Sequence, residues 1–183
     1  MYLFNDNWEV DISGVNYNPD SVDNTVRADA YIKICDDYSK TLLLNITDIS
    51  HTIEKNIVLE VSFYTPSDEF AFIEGDSLFL FLNDTVCELH IPTGKMINKK
   101  RLDRPGTLFS VHRYHQDFIM YCEMDIIRIT RSLEVVWDFG ARDIFVRYHG
   151  DEPAFEMLPD RIRLYDFSDN YYEIDYDGKV IRD

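Results

Sequence analysis

The chain has 183 residues, with 34 acidic against 18 basic side chains and a net charge of −16. Because 45% of the residues are hydrophobic and there is no low-complexity run, the composition excludes a disordered chain and predicts one globular domain over residues 1–183. An acidic field of this size repels phosphate backbones and anionic lipid surfaces. It therefore disfavours direct binding of nucleic acid or a membrane and favours a basic protein as partner.

The start of the chain and its cysteines predict a cytoplasmic protein. Residues 1–6 have neither the basic nor the apolar region of a signal peptide, and no run of about 18 apolar residues predicts a membrane span. Cys35, Cys87 and Cys122 are odd in number and lie in apolar, strand-like sequence. This favours buried, reduced thiols over a disulfide framework or a metal site.

Residues 1–69 are predicted to form an acidic N-terminal β segment. Residues 1–26 contain five acids and no base, with Trp8 and Tyr17 as aromatic anchors. Apolar residues then alternate with polar ones over residues 30–34, 42–46 and 57–63, which predicts three antiparallel strands. A helical turn over residues 48–55 is the alternative for the link between the last two.

Residues 70–183 repeat one pattern three times. Residues 89–97, 129–136 and 174–181 each form an alternating strand, a tight turn and a return to apolar sequence, and an apolar strand precedes each of them. The period of about 40 to 45 residues is that of a β-propeller blade. We expect hairpins near Asn83, Glu123 and Ser168 and return turns near Thr93, Ser132 and Gly178. The predicted fold is all-β, a small or partial β-propeller-like array of antiparallel hairpins with an N-terminal β-sheet segment.

Three motifs in the repeats carry a family resemblance. They are E-V-V-W-D at 134–138, F-E-M-L-P-D-R-I at 155–162 and Y-E-I-D-Y-D-G-K-V at 172–180. They resemble blades of bacterial propellers of the arylsulfotransferase and quinoprotein type, which carry a V-V-W-x strand end, an L-P-D/N-G hairpin and an E-L-D-x-D-G-K turn. The resemblance implies a blade fold and no activity, because it is a structural repeat. Arg161 replaces the hairpin glycine, and three repeats fall short of a full enzymatic ring.

No catalytic or cofactor motif stands out. There is no G-x-S-x-G elbow and no phosphate-binding glycine loop, and the His-x-x-His spacing at 112–115 is weak beside the helical HExxH pattern. We therefore predict no metal, no cofactor and no enzymatic activity. If residues 64–69, 112–117 and 148–156 occupy equivalent places in three blades, they would converge on one rim. A hydrolase or transferase site would then comprise Tyr114, His115, His149, Asp151 and Glu152.

Acidic and tyrosine-rich segments at both ends of the chain point to protein binding. Tyrosine gives rigid, amphipathic contact area, and carboxylates steer basic partners. The predicted contact residues are Trp8, Asp11, Tyr17, Asp20, Asp169, Tyr171 and Asp175. In character the chain resembles immunity proteins of bacterial toxin systems, which mask a basic nuclease domain. A non-enzymatic inhibitor of this kind is the leading hypothesis, and a propeller-like ligand-binding or regulatory module is the alternative.

Overall fold

The computed structural model describes residues 1–35, 40–50, 52–62, 70–103 and 106–183. In these residues every regular element is a β-strand, and the strands form four sheets, so the all-β prediction is confirmed. Over the same residues no helix has the length and hydropathy needed to cross a membrane. The chain divides into two compact units, Met1–Lys99 and Lys100–Asp183. That residues 1–183 act as one domain stays a prediction.

The first sheet lies in the first unit and has the strand order β1-β2-β4-β5-β3. Its strands are β1 (Tyr2–Phe4), β2 (Trp8–Gly14), β3 (Ala30–Lys33), β4 (Lys40–Asp48) and β5 (Glu54–Val61). Side chains alternate between its two faces. The inner face holds fully buried residues such as Val10, Leu44 and Leu59, whereas polar side chains dominate the outer face.

One strand of this sheet differs from the sequence-based expectation. Three antiparallel strands were expected, but β3 pairs in parallel with β5, with Ala30 opposite Ile57 and Lys33 opposite Glu60. The reason is that β2 already covers the other edge of β4, from Trp8 opposite Asp48 to the end of the strand. The edge of β5 is therefore the one that remains for β3.

The other three sheets each have four strands in consecutive order, the meander of a propeller blade. The second sheet comprises β6 (Ala71–Glu74), β7 (Ser77–Leu82), β8 (Thr85–His90) and β9 (Lys95–Arg101). The third comprises β10 (Leu108–Tyr114), β11 (Asp117–Cys122), β12 (Asp125–Ile129) and β13 (Val135–Gly140). The fourth comprises β14 (Phe155–Met157), β15 (Ile162–Tyr165), β16 (Tyr171–Ile174) and β17 (Val180–Arg182).

The predicted hairpins and return turns are confirmed in all three repeats. Asn83 joins β7 to β8, Glu123 joins β11 to β12, and Ser168 joins β15 to β16. Strand β7 is buried along residues 78–82, as expected for a middle strand that is apolar on both faces. The three cysteines are thiols and are not joined in disulfides, with Cys87 and Cys122 buried and Cys35 half-buried. Burial raises the pKa of the Cys87 thiol to about 12, so it is unreactive at neutral pH.

The core of the second unit joins the third and fourth sheets. Ile119 and Ile126 of the third sheet pack in one buried cluster with Ile162, Ile174 and Tyr172 of the fourth. The buried carboxylate of Asp166 accepts hydrogen bonds from the backbone and side chain of Asn170 and, at 2.7 Å, from the hydroxyl of Tyr172. Burial alone would raise the pKa of Asp166, but these hydrogen bonds outweigh it and the pKa is lowered.

The return turn of the fourth sheet requires glycine. Gly178 has a φ of +80°, and a Cβ at this position would lie 2.5 Å from Cγ of Trp137. The indole cannot move away freely, because its Nε1 donates a 2.9 Å hydrogen bond to the carbonyl of Tyr176. In the third sheet Leu133, with a φ of +65°, occupies the matching turn position and buries its side chain.

We predict that Gly178→Ala lowers the free energy of unfolding by about 2 kcal/mol or more, the combined cost of a left-handed residue and a steric clash. Urea denaturation of the variant and the parent protein measures the difference. Gly14→Ala is the matched control, because Gly14 has no heavy atom within 4 Å of the added Cβ. Equal destabilisation by the two changes would contradict the explanation.

Candidate partner-binding face of the first sheet

One end of the outer face of the first sheet carries two exposed aromatic rings beside two carboxylates. The pairing of β1 with β2 sets Tyr2 opposite Asp11 and Phe4 opposite Glu9. Directly opposed residues point to the same face of a sheet, so all four side chains lie together. Tyr2 is 57% exposed and Phe4 72% exposed, and their ring centroids are 6.1 Å apart. Exposed aromatic side chains on a regular strand provide apolar surface that a partner protein can contact.

The neighbouring carboxylates disfavour ionisation of the Tyr2 hydroxyl. A side-chain hydrogen bond with Glu9 is the main cause that raises the pKa of Tyr2, followed by partial burial and the charges of Glu9 and Asp11. The side chain of Asp11 is itself 54% exposed. The patch therefore combines neutral rings with negative charge, the combination that suits the aliphatic stem and charged end of lysine or arginine.

The opposite end of the same face forms a cleft. Tyr31 and Glu60 line it from β3 and β5, Lys40 and Thr41 line it from β4, and residues 14–19 form its wall. The rings of Tyr17 and Tyr31 stack with centroids 5.9 Å apart and an angle of 24° between their planes. The hydroxyl of Tyr31 donates to Glu60, which also pairs with Lys33 at 3.6 Å. The cavity volume is about 810 Å³.

The N-terminal contact residues predicted from sequence fall into two groups. Asp11 lies on the outer face, Tyr17 lines the cleft, and Asp20 follows the cleft wall as an exposed side chain. Trp8 belongs elsewhere, because it is only 6% exposed and its Nε1 donates a 2.7 Å hydrogen bond to Asp76. Trp8 therefore supports the core, and we remove it from the contact surface.

The sequence contained signals that would have corrected this assignment. Trp8, Val10 and Ile12 alternate with polar residues along β2, and such alternation places all three on the buried face. Tyr2 and Phe4 were not identified from the sequence as exposed aromatic residues, although they alternate with Leu3 in the same way. The strand is only three residues long, and a pattern this short is weak evidence without its partner strand.

The C-terminal contact residues all have partners within the second unit. The carboxylate of Asp169 accepts a hydrogen bond of 3.1 Å from Nε of Arg147. Tyr171 donates its hydroxyl to Glu173 at 2.6 Å. Asp175 accepts the backbone N–H groups of Asp177 and Lys179 at 3.0 and 2.8 Å, which closes the return turn. These three side chains thus take part in ion pairs and turn hydrogen bonds of the fourth sheet and its loops.

The residues of the alternative rim site do not converge. The ring of Tyr114 stacks on that of Tyr176, beside the β16–β17 turn, with centroids 4.1 Å apart. It also makes a T-shaped contact with the ring of His115, with centroids 4.4 Å apart. Glu152 accepts a 2.6 Å hydrogen bond from Tyr165, which ends β15 next to the β15–β16 turn. The two groups therefore lie at opposite ends of the fourth sheet. The first of the three segments expected at the rim, residues 64–69, lies outside the described residues.

The residues around Glu152 form an ion-pair network instead of a catalytic pair. Glu152 pairs with Arg147 at 3.3 Å and Arg163 at 3.2 Å, and the hydrogen bonds from Tyr165 and Arg147 are the main causes that lower its pKa. Asp151 and His149 lie in the exposed turn before it. Over the described parts of the chain, no three His, Cys, Asp or Glu side chains meet in a group able to hold a metal ion.

Comparison with known proteins finds remote structural similarities. No protein-family model matches the chain, and a search of curated proteins finds no match. A solved structure of a protein of unknown function from Bacteroides caccae is 19% identical with a TM-score of 0.39, over 78% of this chain and 61% of that one. A chain in a complex of an S. cerevisiae Dbp5 variant with Nup159, a Gle1 variant, IP6 and ADP is 8% identical with a TM-score of 0.45, over 96% and 49%. The chain thus spans only part of both, and neither similarity carries an argument about function.

We predict that Glu9→Gln lowers the pKa of Tyr2 toward the ordinary tyrosine value, because the variant removes the carboxylate that disfavours the phenolate. Observing the tyrosine ring carbons by NMR through an alkaline titration measures the shift. Asp20→Asn removes one charge outside the patch and should leave the titration of Tyr2 in place. An unchanged Tyr2 titration in Glu9→Gln would show that the two side chains do not interact.

Proposed function

We propose that this chain is a non-enzymatic inhibitor that binds a basic protein through the outer face of its first sheet. In its most specific form the proposal is a cytoplasmic immunity protein that neutralises a nuclease-type bacterial toxin domain. The observation that carries it is the exposed pair Tyr2 and Phe4 beside Glu9 and Asp11, at the edge of an open sheet face.

The distribution of charge supports this location. The first unit, Met1–Lys99, has 17 acidic against 6 basic residues, a net charge of −11. The second unit, Lys100–Asp183, has 17 acidic against 12 basic residues, a net charge of −5. Most of the excess negative charge is therefore in the unit that carries the aromatic patch. A nuclease presents a basic surface to its phosphate substrate, and such a surface is complementary to this unit.

The two kinds of side chain would play different roles in the complex. Exposed carboxylates raise the rate of encounter with a basic partner, and the effect weakens as salt screens them. The rings of Tyr2 and Phe4 supply buried apolar area with little loss of conformational entropy, which slows dissociation. Masking of the partner's phosphate-binding surface would be sufficient for inhibition, so no chemistry is required of this chain.

The geometry supports the two alternative functions, a ligand-binding module and an enzyme at the rim, to different degrees. A ligand-binding module is favoured by the cleft at the other end of the same face. A hydrolase or transferase at the rim draws no support, because Tyr114 and Glu152 lie at opposite ends of the fourth sheet.

We predict that the double variant Asp11→Lys/Asp20→Lys slows association with a basic toxin domain encoded beside the gene by about tenfold at low salt, with a smaller effect at physiological salt. Stopped-flow mixing of the two purified proteins gives the rates. Asp138→Lys/Asp151→Lys is the matched control, since it changes the net charge equally at exposed positions of the second unit. Charge reversal at Asp169 or Asp175 is unsuitable, because Asp169 pairs with Arg147 and Asp175 accepts backbone N–H groups of the return turn.

Equal slowing by both double variants would show that the contact is not on the first sheet. An association rate insensitive to salt and to all four reversals would remove the electrostatic basis of the proposal.

A further inference from the structure

The cleft beside Tyr17 is a preformed site on the outer face of the first sheet. Its volume of about 810 Å³ lies within the range of roughly 300–1,000 Å³ typical of small-molecule sites. Its wall is fixed to β4, because the N–H of Val15 donates to the carbonyl of Thr41 at 3.1 Å and the Thr41 hydroxyl donates back to the carbonyl of Val15. The opening therefore does not depend on a ligand to hold it.

The loop that continues the wall is held by its own side chains. Asn24 donates from Nδ2 to the carbonyl of Asn18 at 2.7 Å, and its Oδ1 accepts the N–H of Asn18 at 2.9 Å. The N–H of Asp20 donates to Oδ1 of Asn18 at 3.0 Å. These bonds fix the residues on either side of Pro19, so the wall presents Tyr17 in a defined position.

The aromatic part of the cleft is a stacked pair of rings. Tyr17 and Tyr31 lie almost parallel, with 24° between their planes and 5.9 Å between their centroids, and both line the cavity. A tyrosine ring packs well against a flat apolar face that carries hydrogen-bonding groups at its edges. The pyranose ring of a sugar has this shape, with C–H groups on its faces and hydroxyls around its circumference.

The charges that line the cleft are of both signs and favour neither an anion nor a cation. Glu60 and Lys40 carry opposite charges, and Glu60 is further offset by Lys33 at 3.6 Å. An anion such as phosphate would meet the carboxylate, and a guanidinium would meet the lysine. Asn16 and Asn18, by contrast, offer both donors and acceptors to a neutral hydroxyl.

We propose that this cleft binds a neutral saccharide, one or two pyranose units long, with a sugar face against the stacked pair of Tyr17 and Tyr31 and its hydroxyls bonded to the surrounding amides and charged groups. The inference does not rest on the proposed function, because Tyr2, Phe4, Glu9 and Asp11 play no part in it.

Titration of the isotope-labelled full chain by NMR with maltose, cellobiose, lactose and chitobiose tests the proposal, with methylguanidinium and inorganic phosphate as charged probes. We expect saturable shifts in residues 14–19 and 31 with at least one disaccharide. Tyr17→Ala should weaken that binding at least tenfold, whereas Tyr17→Phe should retain it because the ring is kept. Asn16→Ala, an exposed change with little effect on folding, should weaken it as well. Tyr2→Ala is the control on the same face and should leave the affinity unchanged.

The proposal is overturned if no disaccharide gives saturable shifts, if only methylguanidinium or phosphate binds, or if Tyr17→Ala and Asn16→Ala both bind with the parent affinity. A folded Tyr17→Ala protein is recognised by retention of the amide spectrum of β2 and β4. Loss of partner inhibition in the Asp11→Lys/Asp20→Lys variant without loss of saccharide binding would separate this site from the inhibitory one.

Discussion

The register of β2 between β1 and β4 determines the partner-binding face proposed for the first unit. Val10 and Ile12 face the core in this register, and Glu9 and Asp11 face outward, where β1 adds Tyr2 and Phe4. A shift of one residue would bury the acids and expose Trp8, so the hydrophobic pattern fixes the register strongly. The hydrogen bond from Trp8 to Asp76 adds a directional restraint on the buried side. The proposed binding face is thus a consequence of the same alternation that builds the core.

The two units use their charged side chains in different ways. In the fourth sheet Arg163 pairs with Glu152 at 3.2 Å and also with Glu156, and Arg161 lies 3.6 Å from Glu173. These carboxylates pair with arginines within the unit, so their negative charge is partly compensated there. On the first sheet Lys33 is bound to Glu60, and Asp11 lies 3.8 Å from the N-terminal ammonium of Met1, but β1 and β2 contain no lysine or arginine. The net charges of −11 for the first unit and −5 for the second agree with this difference in charge compensation.

The repeats could be predicted from the sequence because their signals are local. Each hairpin has turn residues at its tip and alternation in its strands, and Asn83, Ser168 and Gly178 all lie where they were expected. The parallel pairing of β3 with β5 could not be predicted in this way, because it depends on which edge the distant β2 leaves open. The separation of Tyr114 from Glu152 was likewise hidden, since it depends on the end of the sheet at which each loop lies. Local pattern identified the elements, and long-range pairing decided which of their side chains meet.

The central claim is that partner contact falls on the outer face of the first sheet. Amide hydrogen exchange, measured by mass spectrometry on the free protein and on its complex with the toxin domain, tests this most directly. The account predicts that binding slows exchange in the segments that carry Tyr2, Phe4, Glu9 and Asp11, and leaves exchange in β14–β17 unchanged. Slower exchange confined to β14–β17 and the loop around Glu152, with none in β1 or β2, would contradict it.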